Sequence, residues 1–249
     1  MEKIVIIPTY NEKENIENIL FAIFSLNQGF HVLVIDDGSP DGTGEIVKNL
    51  FDKYPNQLFL EERKGKLGLG TAYIHGFKWA IAKGYEFIFE MDADFSHNPN
   101  DLDRLYQACK TGGGDVSIGS RYVKGGSIEN WPLDRHLYSK GGAFYTKMIT
   151  CMPVQDPTAG FVCYRKKVLE TINLDAIRFV GYAFQIEIKY KLWVLEKKYC
   201  EIPITFKDRQ KGISKMSTKI IKEAIIFSRL SLIDKATAAP TILKLVTKL

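Results

Sequence analysis

The stretch FIFEMDADFSHNP, residues 87–99, decides the fold. Its first half is apolar and is typical of a strand that is buried on both faces. Asn98 followed by Pro99 then predicts the N-cap and the first position of a helix. Between them stand Asp92 and Asp94, and two carboxylates at the end of a buried strand need a cation close by. A divalent metal that carries a diphosphate meets this need, because Mg²⁺ and Mn²⁺ prefer hard oxygen ligands.

An acidic turn that only caps the following helix is the competing interpretation of Asp92 and Asp94. For an isolated D-x-D pair that interpretation is favoured, because short motifs often match by chance. The surrounding chain therefore has to decide between a metal site and a structural turn.

Strands and helices alternate along the first half of the chain, with apolar residues at helical spacing between the strands. Four apolar runs predict buried strands: residues 3–7, 31–35, 86–91 and 115–119. Helical crossovers imply an α/β fold with a mostly parallel central sheet flanked by helices. Polar segments follow three of these strands: residues 8–12, 36–37 and 92–96. Because ligands bind at the carboxyl ends of parallel strands, the metal site becomes the favoured interpretation.

The length and composition indicate one globular unit. The chain of 249 residues is long enough for one α/β domain with an extension. No apolar run approaches the roughly 20 residues that a membrane-spanning helix needs. Met1 is followed almost directly by the first strand, so we expect no secretory signal. The four cysteines form no C-x-x-C pair, and we expect free thiols in a reducing cytosol.

Positive charge is concentrated at the C-terminal end of the chain. The net charge is +5, but the segment from Thr205 onward carries ten Lys or Arg against three Asp or Glu. We expect an anionic partner there: a phosphate-bearing ligand, an anionic membrane surface or nucleic acid. No nucleic-acid recognition motif accompanies these basic residues, so we expect no nucleic-acid partner.

We divide the chain into a single domain, residues 1–232, and an amphipathic basic tail, residues 233–249. In the tail, apolar residues from Ile242 to Leu249 share one helical face, which fits a short helix on a membrane surface. Packing of the tail on its own domain or on a second subunit fits equally well.

Local patterns add further expectations. Asn11 and Glu14 have the spacing of a capping box at the start of the first helix. The Gly-rich residues 123–135 are expected to form a mobile loop over the site. Trp131 in this loop either contacts sugar or lipid, or anchors the loop by burying itself. We interpret His97 as a polar residue at the start of a helix rather than as a metal ligand.

Several motifs together resemble those of the family 2 glycosyltransferases: IPTYNE at 7–12, DDGSPDGT at 36–43, MDAD at 91–94, GSRY at 119–122, and DR at 208–209 with SKM at 214–216. Within that family they are most similar to the polyprenol-phosphate (dolichyl-phosphate) mannose synthases. The resemblance implies the GT-A fold, with a Rossmann-like nucleotide-binding half and an acceptor-binding half. It also implies inverting transfer of mannose from GDP-mannose to a polyprenyl monophosphate, with Mg²⁺ or Mn²⁺ as cofactor.

The resemblance implies roles for individual residues. The nucleotide sugar would be bound by Pro8, Tyr10, Glu12, Ile35, Asp37, Asp92, Ala93, Asp94, Arg121, Arg209 and Lys215. The metal would be bound by Asp92, Asp94 and Ser96, the last standing where some relatives carry Gln. The acceptor phosphate would be met by Arg121, Arg135 and Ser139. The catalytic residues would be Asp94, Arg121 and Arg209.

The expected chemistry places positive charge where negative charge develops. As the glycosidic bond breaks, charge grows on the diphosphate, where a metal acts as a Lewis acid and Arg209 and Lys215 add fixed positive charge. A phosphate monoester is largely deprotonated at neutral pH, so it needs no protein base. A sugar hydroxyl would need one, and Glu187 stands where many family members carry such a carboxylate. Because Glu187 and Lys191 are one helical turn apart, an ion pair is the preferred interpretation.

Other functions fit part of the sequence. The same fold could use UDP-glucose or UDP-N-acetylglucosamine, with a polyprenyl phosphate or another acceptor. A non-catalytic nucleotide-sugar-binding subunit of a membrane complex is disfavoured by the intact charged residues. A dinucleotide-dependent oxidoreductase is set aside, because no G-x-G-x-x-G follows the first strand.

The location follows from the substrates and the composition. We expect a cytoplasmic protein, peripheral on the cytoplasmic face of the membrane. It would meet its lipid at the membrane surface or through a membrane-protein partner.

Overall fold

The computed structural model describes residues 1–181 and 183–209. The strands are β1 Lys3–Thr9, β2 Phe30–Asp36, β3 Leu58–Glu62, β4 Phe87–Glu90, β5 Val116–Ser120, β6 Ser127–Glu129, β7 Val162–Arg165, β8 Tyr199–Pro203 and β9 Thr205–Lys207. The α-helices are α1 Ile16–Ser25, α2 Thr43–Lys48, α3 Leu69–Ala82, α4 Leu102–Lys110, α5 Leu133–Thr150, α6 Lys166–Leu169 and α7 Ala183–Val194.

The main sheet has seven strands in the order β3-β2-β1-β4-β7-β5-β8. Strands β3, β2, β1 and β4 run parallel to one another, and β5 runs parallel to β8. Strand β7 runs antiparallel between β4 and β5. A separate parallel pair is formed by β6 and β9. The predicted mostly parallel α/β sheet is confirmed, and β7 is its single reversed strand among the described residues.

Alternate side chains of the strands pack on opposite faces of the sheet. On one face Ile4, Ile6 and Ile88 pack with residues of α3 and α7. On the other face Val5 and Phe89 pack with residues of α1 and α4. With both faces covered, the carboxyl ends of β2, β1 and β4 open side by side at one edge of the sheet.

The capping-box prediction at Asn11 is wrong. Helix α1 begins at Ile16 after Asn15, whose side chain makes no capping hydrogen bond. Asn11 has φ +56° and lies in the turn that follows β1. Its N–H donates to Ser39 Oγ at 2.9 Å, so the residue joins two strand-end loops instead of starting the helix.

Residues 123–135 are more ordered than their composition predicts. Strand β6 lies inside this segment and pairs with β9, and Arg135 belongs to the first turn of α5. The prediction of a loop over residues 123–135 is therefore wrong for 127–129, which form a strand, and for 133–135, which belong to a helix. Lys215, the domain end at residue 232 and the tail 233–249 lie outside the described residues. Among the described helices, none combines the length and the hydropathy needed to cross a bilayer.

Candidate active site

The polar segments after β1 and β2 are joined by hydrogen bonds. Thr9 Oγ1 donates to Asp36 Oδ1 at 2.7 Å. The N–H of Glu12 donates to Thr43 Oγ1 at 3.1 Å, at the start of α2. Both contacts are buried, so the two strand ends form one rigid wall of the site.

Arg209 connects this wall to the D-x-D segment. Its Nη2 lies 2.6 Å from Asp94 Oδ2, and its Nη1 lies 3.9 Å from Glu12 Oε1. Both carboxylates are buried. The chain after β9 thus returns to the carboxyl edge of the sheet, and three of the predicted site residues are brought together.

The backbone at Asp92 is held by His97. The Asp92 N–H donates to His97 Nδ1 at 3.2 Å, and the buried imidazole stacks on Phe161 with ring centroids 4.9 Å apart. Burial lowers the pKa of His97 to about 4, so the ring is neutral and Nδ1 acts as an acceptor. As predicted, His97 is a structural polar residue near the start of a helix.

The turn from Asp94 to Ser96 is tight and strained. Phe95 has φ +61°, which is rare for a bulky side chain and costs about 1–3 kcal/mol. The Ser96 N–H donates to Asp94 Oδ1 at 3.0 Å. This turn holds the buried Ser96 beside Asp94.

The D-x-D segment suits a hard divalent cation. Asp92 and Asp94 offer carboxylate oxygens and Ser96 a hydroxyl, which is the donor chemistry that Mg²⁺ and Mn²⁺ prefer. Burial, and next the neighbouring Asp94, raise the pKa of the half-buried Asp92, and Arg209 opposes the shift; a bound divalent cation would favour the ionised carboxylate further. The described residues contain no cluster of three or more His, Cys, Asp or Glu arranged for a metal.

Asp37 is held by a partner that the sequence did not reveal. Arg63 Nε donates to Asp37 Oδ1 at 2.7 Å, and the Leu67 N–H donates to Oδ2 at 3.0 Å. Lys66 Nζ lies 5.1 Å from the centre of the Tyr10 ring. The Gly-rich basic loop after β3 therefore closes over the predicted nucleotide side of the site.

The remaining nucleotide candidates are buried to different degrees. The side chain of Ile35 is fully buried in the core, and Ile35 pairs with Pro8 in the sheet. Ala93 is also buried. A ligand can reach Ile35 only through its backbone.

Arg121 forms a buried, two-pronged ion pair with Asp156. Its Nε and Nη2 donate to the two carboxylate oxygens at 2.7 and 2.6 Å, and its own N–H donates at 3.0 Å. Nη2 also donates to Thr158 Oγ1 at 2.8 Å. Asp156 is fully buried and was missed as a site residue, since the segment QDPTAGF indicates only a turn before a strand.

Aromatic rings connect Arg121 to the other predicted acceptor residues. Trp131 lies between two guanidiniums, 5.7 Å from that of Arg121 and 4.2 Å from that of Arg135. Tyr122, which follows Arg121, donates its hydroxyl to Ser139 Oγ at 2.7 Å. The structure thus gathers Arg121, Arg135 and Ser139 into one cluster. Trp131 lies at its centre and is half-buried, so both interpretations of this residue stay predictions.

Asp208 links the acceptor cluster to Arg209. Its Oδ1 accepts from Arg135 Nη1 at 2.8 Å and from the Arg209 N–H at 3.1 Å. The cluster of Arg121 and Arg135 and the side chain of Arg209 therefore lie side by side at the same edge of the sheet, each arginine paired with a carboxylate.

Glu187 is engaged in structural contacts. One oxygen lies 3.6 Å from Lys191 Nζ, which confirms the predicted ion pair. The other oxygen accepts the N–H groups of Arg178 and Phe179 at 2.9 and 3.1 Å. A carboxylate held in this way fixes the loop before α7 and is poorly placed to serve as a base.

A family model described as "Glycosyl transferase family 2" matches residues 4–172. The chain belongs to this glycosyltransferase family. It is 44% identical over 222 residues to the polyprenol monophosphomannose synthase of Mycolicibacterium smegmatis, covering 89% of this chain and 83% of the relative. It is 42% identical over 226 residues to the undecaprenyl-phosphate mannosyltransferase of Micrococcus luteus, covering 91% and 92%. It is 41% identical to the dolichol-phosphate mannosyltransferase of Pyrococcus furiosus, of which the match spans only 61%.

Solved structures show that the fold is the GT-A fold. A glucosyl-3-phosphoglycerate synthase from Mycobacterium tuberculosis, in complex with Mn²⁺ and UDP-glucose, aligns with a TM-score of 0.62 at 17% identity. The alignment covers 92% of this chain and 78% of that one. A mannosyltransferase from Pyrobaculum calidifontis, in complex with GDP-mannose and Mn²⁺, aligns with a TM-score of 0.56 at 16% identity over 98% and 78%. The predicted family, fold and enzyme class are confirmed.

Proposed function

We propose that this glycosyltransferase transfers mannose from GDP-mannose to the phosphate of a polyprenyl monophosphate, with inversion at the anomeric carbon. The observation that carries the proposal is that arginines of two groups meet at one sheet edge, Arg209 beside Asp94 and the Arg121–Arg135 cluster. Such an edge suits two anionic substrates that must meet. The names of the relatives support mannose as the sugar and a lipid phosphate as the acceptor.

The donor diphosphate is assigned to the D-x-D side of the site. Asp92, Asp94 and Ser96 would hold Mg²⁺ or Mn²⁺, and the bound ion supplies Lewis-acid stabilisation of the leaving group. Arg209 lies against Asp94 and adds a fixed positive charge at the same place. The nucleoside is assigned to the neighbouring wall, where Tyr10 and the Arg63–Asp37 pair lie.

The acceptor phosphate is assigned to Arg121, Arg135 and Ser139. Among the described residues Nη1 of Arg121 donates no hydrogen bond, while Nε and Nη2 are held by Asp156. A guanidinium that is fixed through Nε and Nη2 can use Nη1 to donate a hydrogen bond to a phosphate oxygen.

The reaction then needs no protein base. An acceptor phosphate oxygen attacks the anomeric carbon, the new C–O bond forms, and the bond from that carbon to the diphosphate oxygen breaks. GDP leaves with the electron pair. Because the attacking phosphate is already largely deprotonated at neutral pH, no proton has to be removed. This agrees with the engagement of Glu187 in structural contacts.

An apolar stripe on α5 suits the lipid end of the acceptor. Four large apolar side chains expose more than half of their surface there: Leu137, Tyr138, Phe144 and Met148. They share the helix that carries Arg135 and Ser139. We therefore place this helix against the membrane surface, with the enzyme peripheral on the cytoplasmic face and the acceptor phosphate entering beside Arg135.

Vesicle binding tests this placement. Phe144→Glu is expected to reduce co-sedimentation with phosphatidylglycerol vesicles and to raise the KM for the lipid acceptor. The matched control is Phe21→Glu, since Phe21 is an exposed phenylalanine on α1, away from α5. Equal binding of the Phe144→Glu variant and the wild-type protein would show that α5 does not face the membrane.

A donor screen tests the sugar and the nucleotide. GDP-mannose, UDP-glucose and UDP-N-acetylglucosamine are each offered with a polyprenyl monophosphate, and glycolipid product is measured. We expect product from GDP-mannose. Product from a UDP-sugar alone would overturn the mannose assignment while leaving the lipid-phosphate acceptor in place.

A further inference from the structure

A tyrosine hydroxyl buried beside the D-x-D segment has no structural explanation of its own. Tyr73 on α3 is fully buried, and its hydroxyl makes no full hydrogen bond with any described residue. An unsatisfied buried hydroxyl costs about 1–3 kcal/mol, and a phenylalanine would avoid that cost. The hydroxyl therefore calls for a function.

The packing of α3 on the sheet determines where Tyr73 lies along the direction of the strands. A Cβ at Gly76 would lie 2.7 Å from Ile6 Cγ2, so α3 touches β1 directly at that level. Ile6 pairs with Glu90 across the β1–β4 ladder. Tyr73 precedes Gly76 by about one helical turn and lies nearer the carboxyl edge, level with the residues just beyond Glu90.

The alternation of side chains along β4 determines which face of the sheet Asp92 points to. Ile88 packs on the α3 side of the sheet, whereas Phe89 and Met91 pack on the opposite side. The Met91 N–H still bonds to Ile6 O, so the extended chain continues past the end of β4. Asp92 consequently points to the same side as Tyr73.

The ring of Tyr73 is firmly held. It stacks on Phe184 with centroids 5.9 Å apart and planes at 10°, and on Phe77 at 6.1 Å and 23°. A phenol is protonated at neutral pH, so this hydroxyl can donate a hydrogen bond on the side of the sheet to which Asp92 points.

We propose that Tyr73 is a positioning residue that donates a hydrogen bond to Asp92 and orients this carboxylate for the divalent cation. The proposal rests on the metal role assigned to Asp92 under the proposed function. Partners in the outer shell of a metal site commonly change metal affinity by about 10–100-fold when they are removed.

Mn²⁺ binding measured without sugar transfer tests the proposal. Mn²⁺ is titrated into the full-length protein in the presence of GDP, and free Mn²⁺ is followed by electron paramagnetic resonance. Tyr73→Phe is expected to weaken Mn²⁺ binding about tenfold, with no loss in the midpoint of thermal unfolding. The matched control is Tyr164→Phe, since Tyr164 is a fully buried tyrosine whose hydroxyl contacts Glu90 at 3.4 Å. It is expected to leave Mn²⁺ affinity within about twofold.

A double-mutant cycle makes the test specific. If Tyr73 acts through Asp92, Tyr73→Phe causes no further loss of Mn²⁺ affinity once Asp92→Asn is present. Unchanged affinity in Tyr73→Phe, or an equal loss in Tyr164→Phe, would overturn the role of Tyr73 alone. Absence of Mn²⁺ binding by the wild-type protein with GDP would overturn the proposed metal site, and this role with it.

Discussion

Arg209 Nη2 lies 2.6 Å from Asp94 Oδ2, while Nη1 of the same guanidinium lies 3.9 Å from Glu12 Oε1. One side chain thus spans the ends of β1 and β4, where the donor diphosphate is assigned. Because two buried carboxylates hold the Arg209 guanidinium, its position is fixed before the substrate binds. Preorganised charge of this kind contributes strongly to rate enhancement.

Arg209→Ala is expected to lower kcat by about 10²–10³-fold, the usual effect of losing one preorganised contact to developing charge. Arg209→Lys should fall between this variant and the wild-type enzyme, since lysine keeps the charge but cannot span two carboxylates. The measurement is steady-state transfer at saturating acceptor. Arg104→Ala serves as the control, since it removes an exposed arginine on α4 that pairs with Asp101, the residue before that helix. A kcat within about twofold of the wild-type value would contradict the role of Arg209.

Asp94→Asn is expected to abolish transfer while leaving the far-ultraviolet circular dichroism unchanged. The substitution keeps the shape of the side chain but removes the charge that faces Arg209 and the proposed cation. The exposed Asp52→Asn is the control. Chelation of all divalent metal with EDTA should abolish the activity of the wild-type enzyme in the same way. Full transfer by Asp94→Asn or in EDTA would rule out metal-assisted departure of the diphosphate.

Substitutions of Arg121 and of Asp156 are expected to have different effects, the first on binding of the acceptor and the second on the free energy of unfolding. Arg121→Lys keeps the charge but loses the two-pronged contact, so the KM for the lipid phosphate should rise about tenfold with the KM for GDP-mannose unchanged. Asp156→Asn leaves a buried guanidinium without its counter-charge and should lower the free energy of unfolding by about 3–5 kcal/mol. Kinetics and urea unfolding measure the two effects. An unaltered acceptor KM in Arg121→Lys would exclude Arg121 from the acceptor site.

The convergence of the polar strand ends could be predicted from the sequence, because it depends only on parallel strands and on polar residues where they stop. The partners of the site residues could not. Arg63 and Asp37 are 26 residues apart, and Arg121 and Asp156 are 35 apart. Long-range ion pairs of this kind have no spacing rule, since tertiary packing alone brings them together.

The antiparallel orientation of β7 could not be predicted from the sequence either. The apolar run after QDPTAGF predicts a strand, but its direction depends on where the long helix α5 delivers the chain. Asn11 shows that a matching sequence pattern can also give a wrong prediction. Its spacing to Glu14 matches a capping box, yet a left-handed backbone at Asn11 ties it to Ser39 and moves the start of α1 to Ile16.

Stability is expected to rise with pH above about pH 8 through Lys189. Lys189 Nζ is fully buried and donates to Ala159 O at 2.7 Å and to Gln185 Oε1 at 2.8 Å. Burial lowers its pKa from 10.5 to about 8, although Glu90 opposes the shift. Between these values the folded protein has released the proton while the unfolded chain keeps it. Raising the pH therefore favours the folded state.

Urea unfolding at about pH 7.5 and about pH 9.5 measures this effect in the wild-type protein and in Lys189→Met. The methionine variant lacks the titrating group, so the wild-type protein should gain stability relative to it at the higher pH. A difference between the two proteins that does not change with pH would contradict the assignment to Lys189.

The central claim is that a lipid phosphate oxygen is the nucleophile at the edge formed by Asp94, Arg209 and Arg121. The most direct measurement is ³¹P NMR and mass spectrometry of the product made from GDP-mannose and Mn²⁺, with polyprenyl monophosphate or the corresponding polyprenol as acceptor. We predict a β-linked mannosyl phosphodiester from the monophosphate and no product from the alcohol. Mannosylation of the free polyprenol at a comparable rate, or an α-linked phosphodiester, would contradict the account.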